Sequence, residues 1–179
     1  MEIKKVAVIG PESTGKSELA EFLAAEFSTV WVEEYARQYL SKLTRPYGPE
    51  DLVDIAQGQI SLEETVMPKA NRVLICDTDL YVIKVWSNFK YGFCDRRILE
   101  WIAARKYDLY LLTYIDVPWQ EDPLREHPEH REQLYDIYLS EMRNQQVPFA
   151  EVRGSREQRR SLARKSVEAL LHDSLKRLP

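Results

Sequence analysis

Gly10, Gly15, Lys16 and Ser17 occupy the four fixed positions of G-x-x-x-x-G-K-S within Gly10-Pro11-Glu12-Ser13-Thr14-Gly15-Lys16-Ser17. These residue types at this spacing do one kind of chemistry, which is to hold the phosphates of a nucleotide. The glycines let the backbone turn successive N–H groups inward as an anion nest. Lys16 adds a point charge for the β- and γ-phosphates, Ser17 offers a hydroxyl to Mg²⁺, and the helix that begins here presents its positive end to the anion. The alternative is a glycine turn without nucleotide. Context favours the nucleotide: Val6, Val8 and Ile9 form an apolar strand before the loop, and Leu19, Phe22, Leu23 and Phe27 follow it at helical spacing. The loop therefore predicts binding of ATP or GTP.

Other residues could complete a phosphoryl-transfer site. Asp77 closes the apolar run Arg72–Cys76, where a Walker-B carboxylate reaches the Mg²⁺ shell; a helix N-cap is its other reading. Ser17 and Asp77 are thus the expected Mg²⁺ residues, with Thr78 beside them on the nucleotide side. Asp79 reads as an acceptor-side hydrogen-bonding group or as an ordinary first-turn carboxylate. Glu33 and Glu34 end the second strand, and one of them can orient the attacking hydroxyl or take its proton; equally, the pair can simply start a helix. Tyr35 and Arg37 follow as acceptor contacts. In Asp116–Arg125 a Trp and an Arg sit in a polar, Pro-punctuated loop, which makes Trp119 an acceptor contact and Arg125 or Arg131 a lid guanidinium for the transferring phosphoryl group. Ser155 and Arg156, after the last strand, are placed for the nucleotide base. Lys16, Glu34, Asp77 and Arg125 form the expected catalytic set.

The elements that must carry these residues alternate strand and helix from end to end, the pattern of βαβ units. Strands are expected at about 3–9, 29–32, 72–76, 108–116 and 148–152. Helices are expected at 15–27, 34–43, from Gly48-Pro49 to Met67, at 79–90, 94–105 and 129–145, and after Ser155-Arg156-Glu157-Gln158, which has capping-box spacing. The fold class is α/β: a P-loop NTPase with three α/β/α layers, a five-stranded parallel sheet and a small lid at about 117–131, all in one domain over residues 1–179.

The 179 residues carry 25 Lys and Arg against 29 Asp and Glu, a net charge of −4 that speaks against a constitutive nucleic-acid binder. Arg153, Arg156, Arg159, Arg160, Arg164 and Lys165 are interleaved with Glu151, Glu157 and Glu168, which reads as a solvated helix face. His127 and His130 give H-x-x-H without an evident third ligand, so no metal is expected there. Cys76 and Cys94 lie far apart and read as free thiols. With no apolar run of membrane-spanning length and no signal-peptide pattern, the expectation is a soluble cytoplasmic protein whose N-terminus is the first strand.

Taken together, the P-loop, Glu34-Tyr35-Ala36-Arg37, Ala56-Gln57-Gly58-Gln59, Asp77-Thr78-Asp79 and the segment from Asp116-Val117-Pro118-Trp119 to Asp122-Pro123-Leu124-Arg125 resemble the ribosylnicotinamide kinase domain of the bifunctional NadR family. The resemblance runs in order over nearly the whole chain. It implies a P-loop kinase fold, Mg-ATP as phosphoryl donor, and the 5′-hydroxyl of nicotinamide riboside as acceptor, yielding nicotinamide mononucleotide for NAD biosynthesis. Two departures stand out. The strand before the P-loop begins at residue 3, leaving no room ahead of it in this sequence for the family's adenylyltransferase and DNA-binding modules. Glu33 stands where the family pattern has an aromatic that helps stack on the nicotinamide ring, so Tyr35, Trp86 or Trp119 are the alternatives for stacking. A kinase for another nucleoside and an NTPase switch remain the competing readings; the latter lacks a guanine-specific N-K-x-D motif.

Overall fold

The computed structural model describes residues 2–176; Met1 and residues 177–179 of the expected domain lie outside the described residues. The chain runs β1 (Lys4–Ile9), α1 (Lys16–Glu26), β2 (Trp31–Val32), α2 (Tyr35–Leu40), α3 (Pro49–Val66), β3 (Val73–Asp77), α4 (Leu80–Tyr91), α5 (Arg96–Ala104), β4 (Leu109–Thr113), α6 (Arg131–Asn144), β5 (Phe149–Val152) and α7 (Arg156–Lys176). The strands form one parallel sheet in the order β2-β3-β1-β4-β5.

Burial on both faces explains why β1, β3 and β4 read as continuous apolar runs. Val6, Val8, Ile75 and Leu111 face α1 and α7 through Leu19, Leu23, Ala163 and Val167. Ala7, Ile9, Leu74 and Leu112 face α4 and α6 through Val85, Leu134, Tyr138 and Met142. A third apolar cluster, including Leu52, Ile55, Ile83 and Ile98, joins α2, α3, α4 and α5 beside the sheet. The expected three-layer α/β/α arrangement is thus present with an extra helical flank.

Local chemistry sets the ends of the helices. Asp51 accepts the Gly48 N–H at 2.7 Å and both Arg45 guanidinium nitrogens at 2.7 and 2.8 Å, which fixes the start of α3 and holds its carboxyl well below the usual range. α4 begins at Asp79, whose carboxylate accepts the Tyr81 N–H at 2.9 Å, and ends at Gly92 with φ 77°. At α7, Ser155 and Gln158 make the expected reciprocal cap: the Ser155 hydroxyl accepts the Gln158 N–H at 3.3 Å and the Gln158 side chain accepts the Ser155 N–H at 2.8 Å.

Several boundaries differ from the sequence reading, and α2 stops at Leu40 rather than 43. β2 is shorter because the Thr29 hydroxyl, donating to the Val73 carbonyl at 2.6 Å and accepting the Asn71 N–H at 2.9 Å, replaces ladder pairing. β4 ends at Thr113, whose hydroxyl turns back to donate to the Ile9 carbonyl at 3.0 Å. A 3₁₀ turn at Pro128–His130 precedes α6, so Arg131 is the first residue of a helix rather than part of the lid loop.

Beneath the sheet, the fully buried Glu63 accepts from Lys5 Nζ at 2.6 Å, Arg105 Nη2 at 2.9 Å and the Tyr107 hydroxyl at 2.5 Å, tying α3 to β1 and to the approach to β4. Removing one partner of such a network strands the others in a dry interior. Glu63→Ala is expected to cost about 3–5 kcal/mol in denaturant unfolding, whereas removing the exposed Arg96–Glu100 pair should cost well under about 1 kcal/mol.

Candidate active site

Parallel register brings the C-terminal ends of three strands together. Val8 pairs with Asp77 and Ile9 with Leu112, so the loop leaving β1 passes directly over Asp77 and Thr113. Gly10 takes φ 137°, and a Cβ there would meet Thr113 Oγ1 at 2.5 Å and its carbonyl oxygen at 2.7 Å; only glycine lets the loop lie this close to β4. Ser13 at φ 55° and Gly15 at φ 74° complete the left-handed steps that turn the loop into a nest before α1 starts at Lys16. From behind, the loop is fastened by Arg159 of α7. Its buried guanidinium donates to the Thr14 carbonyl, to the Tyr114 carbonyl at 3.2 Å and to Asp116 at 2.6 Å. This corrects the reading of the basic run as a solvated face: Arg159 is internal, and Arg156 and Arg160 pair with Glu18 of α1.

A cavity of about 310 Å³ opens in front of the loop. The P-loop and Lys16 form one wall. Glu34 and Arg37 form a second, Val82, Trp86 and Phe89 of α4 a third, and lid residues including Leu124, Arg125 and His127 the roof. Lys16 Nζ donates to the Pro11 carbonyl at 2.7 Å. Burial lowers its pKa, against the pull of Glu34, Asp77 and Glu12, whose carboxylates favour the ammonium. Burial pushes the Asp77 carboxyl up to about 6, with Glu34 reinforcing the shift and the Ser17 hydroxyl and Lys16 opposing it. Asp77 Oδ1 is buried with no hydrogen-bond partner. An orphaned carboxylate oxygen beside a hydroxyl suits a hard cation with oxygen ligands. Among the described residues no group of three or more His, Cys, Asp or Glu forms a metal cage, so a Mg²⁺ held by Ser17 and Asp77 would draw its other ligands from phosphate and water.

The lid is pinned to the loop it covers. Glu12 accepts the backbone N–H of Glu126 at 3.1 Å and of His127 at 3.0 Å; Ser13 Oγ accepts the Gln120 N–H at 2.8 Å. Arg131 donates to the Ser13 and Val117 carbonyls at 3.0 and 2.9 Å. On the opposite rim Arg37 pairs with Asp122 at 2.8 Å and with Glu34 at 3.3 Å. Tyr47 donates to Glu126 at 2.6 Å while accepting from Trp86 Nε1 at 2.8 Å, which links α4 to the lid.

Of the residues expected to act, Gly10 through Ser17, Glu34, Arg37 and Arg125 line the cavity, with Asp77 against Lys16 and Ser17. The others have different local duties. Thr78, at φ 74°, turns the chain from β3 into α4, its N–H donating to the Val8 carbonyl at 3.0 Å. Asp79 is buried off the cavity wall, capping α4 and accepting the Tyr110 hydroxyl at 3.0 Å, and burial lifts its carboxyl to about 7. Glu33 is exposed, and the Tyr35 ring lies over Gly58, where a Cβ would come within 2.0 Å of it. The Arg125 and Arg131 guanidinium groups each stand 5.9 Å from the centre of the Trp119 ring, which is outside the lining. Ser155 and Arg156 are taken up by the α7 cap and by Glu18. Glu12 as a lid anchor, Phe89 as a wall and Tyr47 as a bridge went unread because each depends on a contact remote in sequence. Trp86, one of the three stacking alternatives read from the sequence, lines the cavity on one helical stripe with Val82 and Phe89.

The fold and this loop define a P-loop protein with the topology of nucleotide and nucleoside kinases. The chain belongs to the AAA domain family AAA_28, whose model matches residues 5–159. It is 30% identical over 129 residues to the trifunctional NAD biosynthesis/regulator protein NadR of Escherichia coli strain K12, an alignment covering 69% of this chain and 31% of the relative. The NadR of Salmonella typhimurium strain LT2 matches equally. The chain thus spans about a third of the length of the curated relatives it matches. Among solved structures, a NadR protein in complex with NR superposes with a TM-score of 0.76 at 22% identity, covering 95% of this chain and 52% of that one. A thymidylate kinase from Candida albicans gives a TM-score of 0.68 at 13% identity over 96% of this chain and 92% of that one. No helix among the described residues is long and apolar enough to cross a membrane.

Asp77→Asn separates binding from stability. Between the ordinary carboxyl value of 3.8 and about 6 the folded protein holds a proton that the unfolded chain has released, so stability falls as pH rises through that window. The amide removes this slope. The variant is expected to melt higher than the parent at pH 7 without ligand while requiring markedly more Mg²⁺ for activity, as read from melting curves across pH and a Mg²⁺ titration. Arg125→Ala is expected to lower kcat by about 10²-fold with little change in the KM for ATP, since a lid guanidinium acts on charge developing in the transition state; steady-state kinetics check it, with Arg125→Lys recovering only part.

Proposed function

We propose that this chain is an ATP- and Mg²⁺-dependent kinase that phosphorylates the 5′-hydroxyl of nicotinamide riboside, giving nicotinamide mononucleotide. The observation that carries the reading is Glu34: it lines the cavity opposite the P-loop, interacts electrostatically with Lys16 and Asp77, and is oriented by Arg37, which itself reaches lid residue Asp122. A carboxylate there can accept a hydrogen bond from an incoming hydroxyl and align it with the terminal phosphate. Lys16 and the nest neutralise the phosphates, Arg125 takes up charge on the phosphoryl group in transit, and the pinned lid keeps out water that would otherwise take the phosphoryl group. The metal, when held by Ser17 and Asp77, supplies further neutralisation of the phosphate oxygens.

The riboside assignment is supported by the likeness to NadR, a NAD biosynthesis/regulator protein for which one solved structure is in complex with NR and another with NAD and AMP-PNP. It is further supported by the cavity itself, where Trp86 and Phe89 offer aromatic faces or edges to a flat ring although Glu33 is exposed. The chain would act in the cytoplasm, where both substrates occur.

Nicotinamide riboside is expected to raise ADP release well above the hydrolytic background, with nicotinic acid riboside and uridine less effective, in a coupled ADP assay. Glu34→Gln should cut the stimulated rate by about 10²-fold without weakening nucleotide binding measured by calorimetry. Absence of stimulation by every riboside would sink the kinase assignment in favour of an NTPase switch.

A further inference from the structure

Asp122 belongs to the lid without lining the cavity, and its two carboxylate oxygens serve different partners. Oδ1 accepts the Leu124 N–H at 2.9 Å, while the Asp122 carbonyl accepts the Arg125 N–H at 3.0 Å. Asp122-Pro123-Leu124-Arg125 is thus a β-turn closed by side chain and backbone together, with Pro123 presetting its second position. Arg125 is the last residue of that turn, so the turn fixes where its side chain departs. The guanidinium then reaches the Gln120 carbonyl and, at 3.4 Å, Ser13 Oγ of the P-loop.

The second oxygen of Asp122 points the other way. Oδ2 accepts Arg37 Nη1 at 2.8 Å, and Arg37 Nε stands 3.3 Å from Glu34 Oε2, three residues earlier in the chain. Burial works against the Arg37 charge, yet Asp122, Glu34 and Asp77 outweigh it and raise the guanidinium pKa. Arg37 in turn holds the Asp122 carboxyl below its ordinary range. Because a guanidinium is a rigid planar fork, holding one nitrogen fixes the direction of the others. Lid residue Arg125 and the cavity carboxylate Glu34 are therefore joined through Asp122 and Arg37 without a gap.

Stability does not account for this pair. The Arg37 and Asp122 side chains are 44% and 21% exposed, and ion pairs with that much solvent contribute under about 1 kcal/mol. What the pair sets is the relation between two groups that act on one phosphoryl transfer. We propose that Asp122 is a positioning residue for that transfer, holding the Arg125 guanidinium and, through Arg37, the Glu34 carboxylate in one fixed arrangement. This assignment rests on the riboside-kinase reading and adds to it the residue that aligns the lid with the acceptor side.

Asp122→Asn isolates the ion pair, because asparagine also accepts an N–H two residues on and suits the first position of the turn, but brings no charge to Arg37. In a coupled ADP assay with ATP and nicotinamide riboside, the variant is expected to lose about tenfold in kcat, with the KM for ATP and the melting temperature unmoved. Arg37→Gln should lose at least as much. Asp122→Asn made in the Arg37→Gln or Glu34→Gln background should cost little more, the non-additivity of residues that act as a unit. Full activity of Asp122→Asn in a chain that responds to nicotinamide riboside, losses that multiply in the double variants, or a melting temperature that falls with the rate overturns the proposal and leaves the kinase reading intact. If no riboside stimulates the parent chain, the kinase reading falls and the proposal falls with it.

Discussion

The register of one strand governs this molecule. β1 pairs in parallel with β3 on one side and β4 on the other, so the chain must exit over Asp77 and Thr113 together. The P-loop, the position of the Asp77 carboxylate beneath it and the close approach at Gly10 all follow from that exit point, because a shift of one residue would turn every core side chain to the opposite face and separate Gly10 from its neighbours. A sheet buried on both sides tolerates no such slip. The apolar strands thus serve the site by having no alternative alignment.

Around this exit the structure holds an electrostatic arrangement that does not favour folding. Lys16, Asp77 and Glu34 share a poorly solvated space, with Asp77 raised to about 6 and one of its oxygens unpaired. Stabilisation comes from elsewhere: the Glu63 network, the Asp51 cap, and the packing of α7 on α1. Unmet polar capacity at the site and strength around it belong to the same design, since groups fully satisfied by each other would have nothing left for a ligand.

Local patterns carried most of the fold. Apolar runs located every strand, Gly48-Pro49 and Ser155–Gln158 marked helix starts, and the G-x-x-x-x-G-K-S spacing located the nest, because each is a short-range effect of backbone geometry and periodicity. Legibility fell where function depends on distant contacts. Asp77-Thr78-Asp79 looks like one acidic motif, but Thr78 turns the corner and Asp79 points into the helix cap, so only Asp77 faces the loop. The basic C-terminal run was misread at Arg159 alone, since nothing local distinguishes an arginine that enters the interior from neighbours that pair on the surface. Glu12 reads as one more P-loop residue until the lid amides lie against it.

Arg159 has a further consequence for how the protein comes into being. The loop it fastens leaves the ribosome ahead of it, and the arginine follows 145 residues later. Chains fold as they are synthesised, and contacts between distant segments wait for the later one. The nest at Gly10–Ser17 therefore waits without its rear support until α7 has been made. A nascent chain halted before α7 would carry the most recognisable nucleotide motif in the sequence and still lack the finished cradle, so competence to bind arrives only once Arg159 is in place.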